Sequence, residues 1–219
     1  KETGVMKREA GSPGGDPVFT AKADGKSLRL DGDVYLDLGQ NGVFRKSEPF
    51  SVGIWVNIPK ELREGVILHK SQAERLYNFR GYHLYLKNDH LELNMAHTAP
   101  SDALTRISKQ PVPKDQWVQL TVTYDGSSKA AGFRLYVNGQ EAAMETTMDQ
   151  LTKDILFKSS VQPGLQIGAW WRGFGLKNAQ VDDITVYNRE LTPFETAVLA
   201  RKSSWSAIAL SHQCIATVF

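Results

Sequence analysis

Apolar and polar residues alternate along two neighbouring segments, 118–124 and 133–137, and this is the clearest structural pattern in the chain. A period of two is typical of half-buried antiparallel strands, because successive side chains of a strand point to opposite faces. The first segment ends in Asp-Gly-Ser-Ser and the second in Asn-Gly. The Asp-Gly and Asn-Gly pairs in these turns supply the positive φ angles that tight turns need. The pattern therefore predicts an antiparallel hairpin over residues 117–140.

Similar short apolar segments, separated by turn residues, recur from residue 27 to residue 187. This spacing favours an antiparallel sandwich over alternating strands and helices. The predicted strands cover residues 27–31, 33–38, 50–57, 65–70, 81–87, 90–97, 104–108, 117–124, 132–138, 164–168 and 181–187, after a first short strand at 17–20.

Helical patterns are short. They cover residues 61–64 and 191–199, and residues 149–157 could add one further helical turn. In the second segment Thr192 is a cap, Pro193 takes the first helical position and Glu195 the third. The predicted fold class is all-β, an antiparallel β-sandwich with one or two short helices.

Composition divides the chain into three parts. Residues 1–16 are rich in glycine, proline and charge, which predicts a leader or linker. Residues 17–200 form one domain, and residues 201–219 are an apolar, serine-rich tail that belongs either to it or to a neighbour in a longer chain. The chain starts at Lys1 without a signal peptide, which predicts a processed product or, as the favoured interpretation, an excised domain.

The hairpin sequence WVQLTVTYDGSS…LYVNG resembles the central hairpin of laminin G-like jelly rolls in the concanavalin A-like lectin/glucanase superfamily. Further matches follow in the family's order, namely SLRLDGDVYLDL, EPFSVGIWVNIP, LQIGA and VDDITVYNRELTPFETAVLA. The resemblance implies a jelly-roll domain over residues 17–200. It is closest to modules inserted in large exported bacterial proteins, which implies an extracytoplasmic location: periplasmic, cell-surface or secreted. The fold hosts lectins, hydrolases and adhesion modules, so it does not define a function.

Charge and composition argue against several partner classes. The formal net charge is only +2 and there is no basic run, so neither nucleic acid nor an anionic membrane surface is expected as a partner. No apolar run is long enough to span a bilayer. The single cysteine, Cys214, excludes an internal disulfide.

The residue patterns of hydrolases are missing. Related glucanases carry Glu-x-Asp-x-x-Glu on one strand, which aligns the carboxylates that attack and protonate the substrate. The nearest acidic residues are Glu61 with Glu64, in the predicted helical turn, and Glu92, a single carboxylate. There is no Gly-x-Ser-x-Gly motif and no metal-binding histidine spacing. We therefore expect a non-catalytic protein.

Calcium is the metal best suited to the acidic residues, because it prefers carboxylate and carbonyl oxygens. In many relatives an acidic residue at the start of the last main strand binds a structural calcium with backbone oxygens of the N-terminal turn. The resemblance assigns these roles to Asp182 and to the turn that contains Asp31 and Asp33. Alternatively, Asp31 and Asp33 only form the turn, and Asp182 pairs with a lysine or arginine.

The candidate ligand residues centre on Trp170, Trp171 and Arg172, which combine aromatic faces with a planar polar group as sugar-binding sites do. Arg80 with Tyr82, and His97, are expected nearby. Core packing is the alternative for the tryptophans. For His97, which shares the parity of the apolar residues of its strand, the alternative is a hydrogen-bonded position at the edge of the core.

These observations favour a non-catalytic carbohydrate-binding, lectin-like module. The alternative is a structural or protein-interaction domain that packs against neighbouring domains and binds no sugar. Arg45 and Lys46, before the strand at 50–57, could meet an acidic sugar, another domain or solvent. A glycoside hydrolase is the third possibility, against which the missing carboxylates argue.

Overall fold

A computed structural model describes residues 5–8, 18–22, 25–71, 79–169, 174–201 and 214–218. These residues form sixteen strands, one α-helix and one 3₁₀ turn at Ala130–Gly132. The strands are β1 (Val5–Arg8), β2 (Val18–Lys22), β3 (Gly25–Asp31), β4 (Val34–Asp37), β5 (Phe50–Asn57), β6 (Glu64–Ser71), β7 (Gly81–Lys87), β8 (His90–Thr98), β9 (Asp102–Ser108), β10 (Trp117–Tyr124), β11 (Phe133–Val137), β12 (Gln140–Glu141), β13 (Met144–Gln150), β14 (Gln166–Ile167), β15 (Lys177–Tyr187) and β16 (Cys214–Val218). The helix is α1 (Pro193–Leu199).

The strands form two antiparallel sheets that pack as a sandwich. Sheet A has the order β1-β4-β14-β6-β7-β8-β9-β13, and sheet B has the order β12-β11-β10-β5-β15-β3-β2. Strand β16 adds to sheet B through β15. The predicted all-β sandwich is confirmed, and the alternation of apolar residues explains it, because each strand turns one apolar face inward.

The predicted hairpin is confirmed. Strand β10 pairs with β11 from Leu120 opposite Val137 to Tyr124 opposite Phe133. It also pairs with β5 along its whole length, which places it in the middle of sheet B. At the Asn-Gly turn after β11, Asn138 has φ 51° and Gly139 has φ 77°, as a tight turn requires.

An aromatic cluster lies at the centre of the core between the sheets. The ring of Phe50 stacks on Phe44 at 4.8 Å and lies 4.7 Å from the ring of Tyr82. The rings of Tyr124 and Phe133 approach it from sheet B at 5.6 and 6.4 Å. Such offset and tilted ring pairs add to the stabilisation that apolar burial provides.

Helix α1 begins as predicted. The Thr192 hydroxyl accepts from the Glu195 amide at 3.3 Å, and the Glu195 carboxylate accepts from the Thr192 amide at 2.9 Å, which completes a capping box. Arg189 holds the same carboxylate with two hydrogen bonds of 3.0 and 2.6 Å. None of the described residues forms a helix with the length and hydropathy needed to cross a bilayer.

Two predicted helical turns are wrong. Residues 60–61 form a turn that leads into β6, which starts at Glu64. Residues 144–150 form β13, an edge strand paired with β9, and an irregular loop follows it. The β13 sequence METTMDQ is mostly exposed and lacks the alternating pattern by which a strand is recognised.

Two strands come from segments that the sequence assigned to a leader and a tail. Strand β1 lies within residues 1–16 and pairs with β4. Strand β16 lies within residues 201–219 and pairs with β15. Both sheets therefore take a strand from outside residues 17–200, because open sheet edges accept further backbone hydrogen bonds.

Candidate ligand site

The segment with the clearest sugar-binding chemistry, Trp170, Trp171 and Arg172, lies outside the described residues. Both chain ends that flank it are described and lie beside β6. The ring nitrogen Nε2 of His69 is 2.9 Å from the carbonyl oxygen of Ala169. The amide of Val66 donates to the carbonyl oxygen of Phe174 at 2.9 Å.

Arg80 and His97, which the sequence analysis placed near the tryptophans, contact each other. The Nε of Arg80 donates to the His97 carbonyl oxygen at 2.9 Å, and its Nη2 lies 3.0 Å from the ring Nε2 of His97. A guanidinium group can only donate, so Nε2 accepts and Nδ1 carries the ring proton. Nδ1 donates in turn to the Asp154 carbonyl oxygen at 2.5 Å. His97 is therefore a hydrogen-bonded residue at the core edge that holds Arg80 in position.

Tyr82 does not face a ligand surface. Its side chain is fully buried, its ring contacts Phe50, and its hydroxyl donates to the Gly42 carbonyl oxygen at 2.6 Å. Burial raises the pKa of the Tyr82 hydroxyl. The prediction of Tyr82 as a ligand residue is thus corrected: alternate residues of β7 point into the core, and Tyr82 is one of them.

Lys70 and Phe157 complete a group that the sequence did not predict, and we call Lys70, Arg80, His97, Asp154 and Phe157 the end cluster. Lys70 pairs with Tyr82 across β6 and β7, and Arg80 directly precedes the first residue of β7. The Lys70 Nζ and the Arg80 Cζ lie 5.6 and 5.5 Å from the centre of the Phe157 ring. Cations at this distance are attracted to an aromatic face.

Lys70 is the most unusual charge of the end cluster. Its side chain is fully buried. Burial lowers the pKa of Lys70 to about 8, and the negative charge of Asp154 opposes this shift. The sequence did hold a signal, because Lys70 has the parity of the buried Leu68 on β6, where an apolar residue is expected.

A second polar group lies on the outer face of sheet A, the face turned away from sheet B. His69 and His83 lie opposite each other on β6 and β7 and are both buried. Because the Ala169 carbonyl can only accept, Nε2 of His69 donates to it, and Nδ1 accepts from the Ser71 hydroxyl at 2.9 Å. Burial lowers the pKa of His69 to about 4, so the ring is neutral at neutral pH.

Glu92 is the buried carboxylate of this outer face. Its Oε1 lies 3.3 Å from Nε2 of His83, and its Oε2 accepts from the Lys87 ammonium at 2.7 Å. Burial by itself raises the pKa of Glu92, but the hydrogen bonds and charges of His83 and Lys87 outweigh it and lower the pKa to about 2. The general acid of a glycosidase needs a raised pKa, so Glu92 is unsuited to that role.

Glu92 is expected to make the free energy of unfolding depend on pH. Its pKa is lower in the folded protein, about 2 against an ordinary value of 4.5, so it stabilises the fold above pH 4.5. The contribution is lost as the pH falls towards 2. In urea unfolding across this pH range, Glu92→Gln should flatten the loss of stability, whereas the exposed-site variant Glu145→Gln should not. An unchanged slope in Glu92→Gln would contradict the assignment.

The three aspartates predicted to bind calcium do not come together. Asp31 pairs with Lys177, whereas Asp182 follows Val181, which pairs with Leu28. Four strand positions, about 13 Å, therefore separate Asp31 from Asp182 along the ladder. The Asp31 carboxylate accepts from the amides of Asp33 and Val34, as a turn-forming residue does. Within the described residues no three His, Cys, Asp or Glu side chains cluster as a metal site.

Residues 30–197 match the family model of the concanavalin A-like lectin/glucanases superfamily. The chain belongs to this superfamily. The match covers most of the sandwich, from the end of β3 to within α1. The comparison with curated proteins finds no match.

Solved structures of other members of this fold superpose on the protein. The Botulinum neurotoxin serotype G binding domain has a TM-score of 0.62 at 14% identity, over 90% of this chain and 46% of that chain. A second similar structure is Domain 4 of AbnA, a GH43 extracellular arabinanase from Geobacillus stearothermophilus, in complex with arabinotriose. Its TM-score is 0.58 at 18% identity, over 90% of this chain and 88% of that chain.

The Botulinum neurotoxin serotype D ligand binding domain in complex with N-acetylneuraminic acid has a TM-score of 0.58 at 14% identity, over 90% of this chain and 45% of that chain. This chain thus spans about half the length of the toxin domains, but most of the arabinanase domain. At these identities the similarity establishes the fold, and it shows that the fold serves as a binding domain in those proteins.

Proposed function

We propose that this protein is a non-catalytic carbohydrate-binding module that acts outside the cytoplasm. The observation that carries the proposal is the end cluster. There the half-buried Arg80 guanidinium lies beside the half-buried Phe157 ring and is fixed by His97. A planar polar group next to an aromatic face is the combination that sugar-binding sites use for hydroxyl groups and for the apolar side of the ring.

The comparisons support a sugar ligand and an exported protein. One similar domain comes from an extracellular arabinanase in complex with arabinotriose, and another from a toxin in complex with N-acetylneuraminic acid. Trp170, Trp171 and Arg172 remain part of the proposal because His69 and Val66 hold the two flanking chain ends beside β6. Calcium bound by Asp182 with backbone oxygens also remains a proposal.

The test is a glycan and polysaccharide panel that includes arabino-oligosaccharides, run on the purified protein with calcium and again with a chelator. We expect at least one ligand to bind. Chelator-sensitive binding would support a metal at Asp182, and chelator-insensitive binding would keep the sugar site without it. A blank panel from a sample with a cooperative thermal transition would overturn the proposal.

Replacing Arg80 by alanine is expected to weaken binding of any panel ligand about tenfold or more, because the loss of charge-assisted hydrogen bonds costs about 1.5–3 kcal/mol. The matched control is Arg63→Ala, whose side chain is 65% exposed and pairs with Asp89 at the surface. Trp170→Ala and Trp171→Ala test the second part of the site. Wild-type affinity in all three site variants would place the ligand elsewhere.

The alternative is a structural or protein-interaction domain without a sugar ligand. It is favoured by three exposed aromatic side chains among the described residues, Phe19 at 46%, Phe174 at 48% and Phe194 at 74% exposure. Exposed aromatic residues are common anchors of protein interfaces. A blank glycan panel on folded protein would move the conclusion to this function.

A further inference from the structure

The ammonium group of Lys70 is fully buried and, within the described part of the chain, has no hydrogen-bond partner. The Phe157 ring attracts the charge at 5.6 Å but offers it no acceptor oxygen. Removing an ammonium group from water without a hydrogen-bonded counter-charge is strongly unfavourable. An oxyanion placed at this group would therefore gain a strong interaction.

Asp154 supplies the one carboxylate of the end cluster, and its oxygens are already engaged. Its Oδ2 accepts from the Arg45 guanidinium at 2.9 Å. Its Oδ1 accepts from the amides of Lys46 and Ile155 at 3.1 and 2.8 Å. Asp154 is the carboxylate whose charge reaches Lys70, and its hydrogen bonds go to groups other than Lys70 and Arg80.

Arg80 connects the buried ammonium group to solvent. It is partly exposed, and its hydrogen bonds to His97 use Nε and Nη2 but not Nη1. Lys70 lies near the end of β6, Arg80 directly precedes β7, and both lie beside the same Phe157 ring. An oxyanion that meets Nη1 of Arg80 would therefore lie at the same aromatic ring as the Lys70 amine.

We propose that the end cluster binds an oxyanion of the sugar ligand, a carboxylate or sulfate carried by an acidic sugar, between Arg80 and Lys70. This inference rests on the proposed function and narrows its ligand class. Guanidinium and ammonium groups together suit such an anion, because the first donates two parallel hydrogen bonds and the second is a compact charge. Neutral sugars would offer the Lys70 ammonium group only hydroxyl oxygens, which accept a hydrogen bond but carry no counter-charge.

The test compares methyl glucuronide with methyl glucoside, which differ by the carboxylate, in calorimetric titrations at low ionic strength. Glucose 6-sulfate tests the sulfate form, and sodium acetate and sodium sulfate test the anion without a sugar. We expect the wild-type protein to bind one of the charged sugars about tenfold more tightly than the glucoside, as a charge-assisted contact allows.

Lys70→Met is the decisive variant, because it fills the same volume without a charge. It should abolish the preference for the charged sugar, because binding of the charged sugar weakens far more than binding of the glucoside. The melting temperature should stay the same or rise, since an unpaired buried charge is removed. Lys60→Met, at an exposed position, is the matched control and should keep the preference.

The outcomes separate this inference from the proposed function. Equal affinities for charged and neutral sugars, or an unchanged preference in Lys70→Met, would overturn the inference and keep the carbohydrate module. Binding of acetate or sulfate by the wild type but not by Lys70→Met, with no sugar bound, would keep the anion site and overturn the carbohydrate function. Absence of binding by every probe would overturn both.

Discussion

Replacing Phe50 by alanine is expected to lower the free energy of unfolding by about 3–5 kcal/mol, the range for removing a fully buried aromatic side chain. The Phe50 side chain is completely buried. Its ring contacts four other rings, at centre-to-centre distances from 4.7 Å for Tyr82 to 6.4 Å for Phe133. The loss combines the burial of apolar surface, the ring contacts and a cavity that strands on both sides can only partly close.

Chemical denaturation followed by tryptophan fluorescence measures this loss. The control is Phe194→Ala on α1, whose side chain is 74% exposed and should change stability by no more than about 0.5 kcal/mol. Similar losses in the two variants would show that Phe50 is not the centre of the core.

Replacing Gly81 by alanine is expected to lower the free energy of unfolding by about 4 kcal/mol or more. Gly81 has φ +122°, which L-residues rarely adopt, and an added Cβ would lie 1.8 Å from the Lys70 carbonyl oxygen. The backbones of β6 and β7 must separate to make room, because Ser71 pairs with Gly81 at this point. The same movement would displace Lys70 and Arg80, so any ligand affinity should fall as well.

Gly25→Ala separates the strain of a positive φ from the steric clash of the added Cβ. Gly25 has a comparable φ of +142°, but an added Cβ meets nothing within 4 Å. This variant should therefore lose only the conformational strain, about 1–3 kcal/mol. Denaturation of the two variants under one set of conditions measures the difference, and equal losses would rule out the close approach of β6 and β7.

The strands and the capped helix were predictable because their signals are local. The alternation in residues 118–124 reports one buried face whatever the partner strand is, and Thr192 with Glu195 caps a helix within one turn. The secondary-structure prediction was wrong where a strand forms without the sequence pattern that is typical of strands. Strand β13, part of which was predicted as a helical turn, is an exposed edge strand without alternation.

The candidate site was only partly predictable, for the same reason. Arg80 and His97 were each expected near Trp170 and Trp171, which lie outside the described residues, and the structure joins Arg80 to His97 by hydrogen bonds. Tyr82 was placed in the site because it is aromatic and adjacent, but its strand parity turns it into the core. Phe157 and Asp154, by contrast, lie in a loop more than fifty residues after Lys70 and His97 in the sequence. No local pattern connects this loop to those residues.

The sequence by itself determined the sandwich class, most strand positions, the start of α1 and the superfamily, because alternation, turn residues and caps act over a few residues. Only the tertiary structure decided which side chains meet. The register of β6 on β7 places Lys70 opposite Tyr82, and the loop after β13 brings Phe157 to both Lys70 and Arg80. Register and sheet order are set by contacts between distant segments, and a shift of one residue would turn Lys70 to the opposite face.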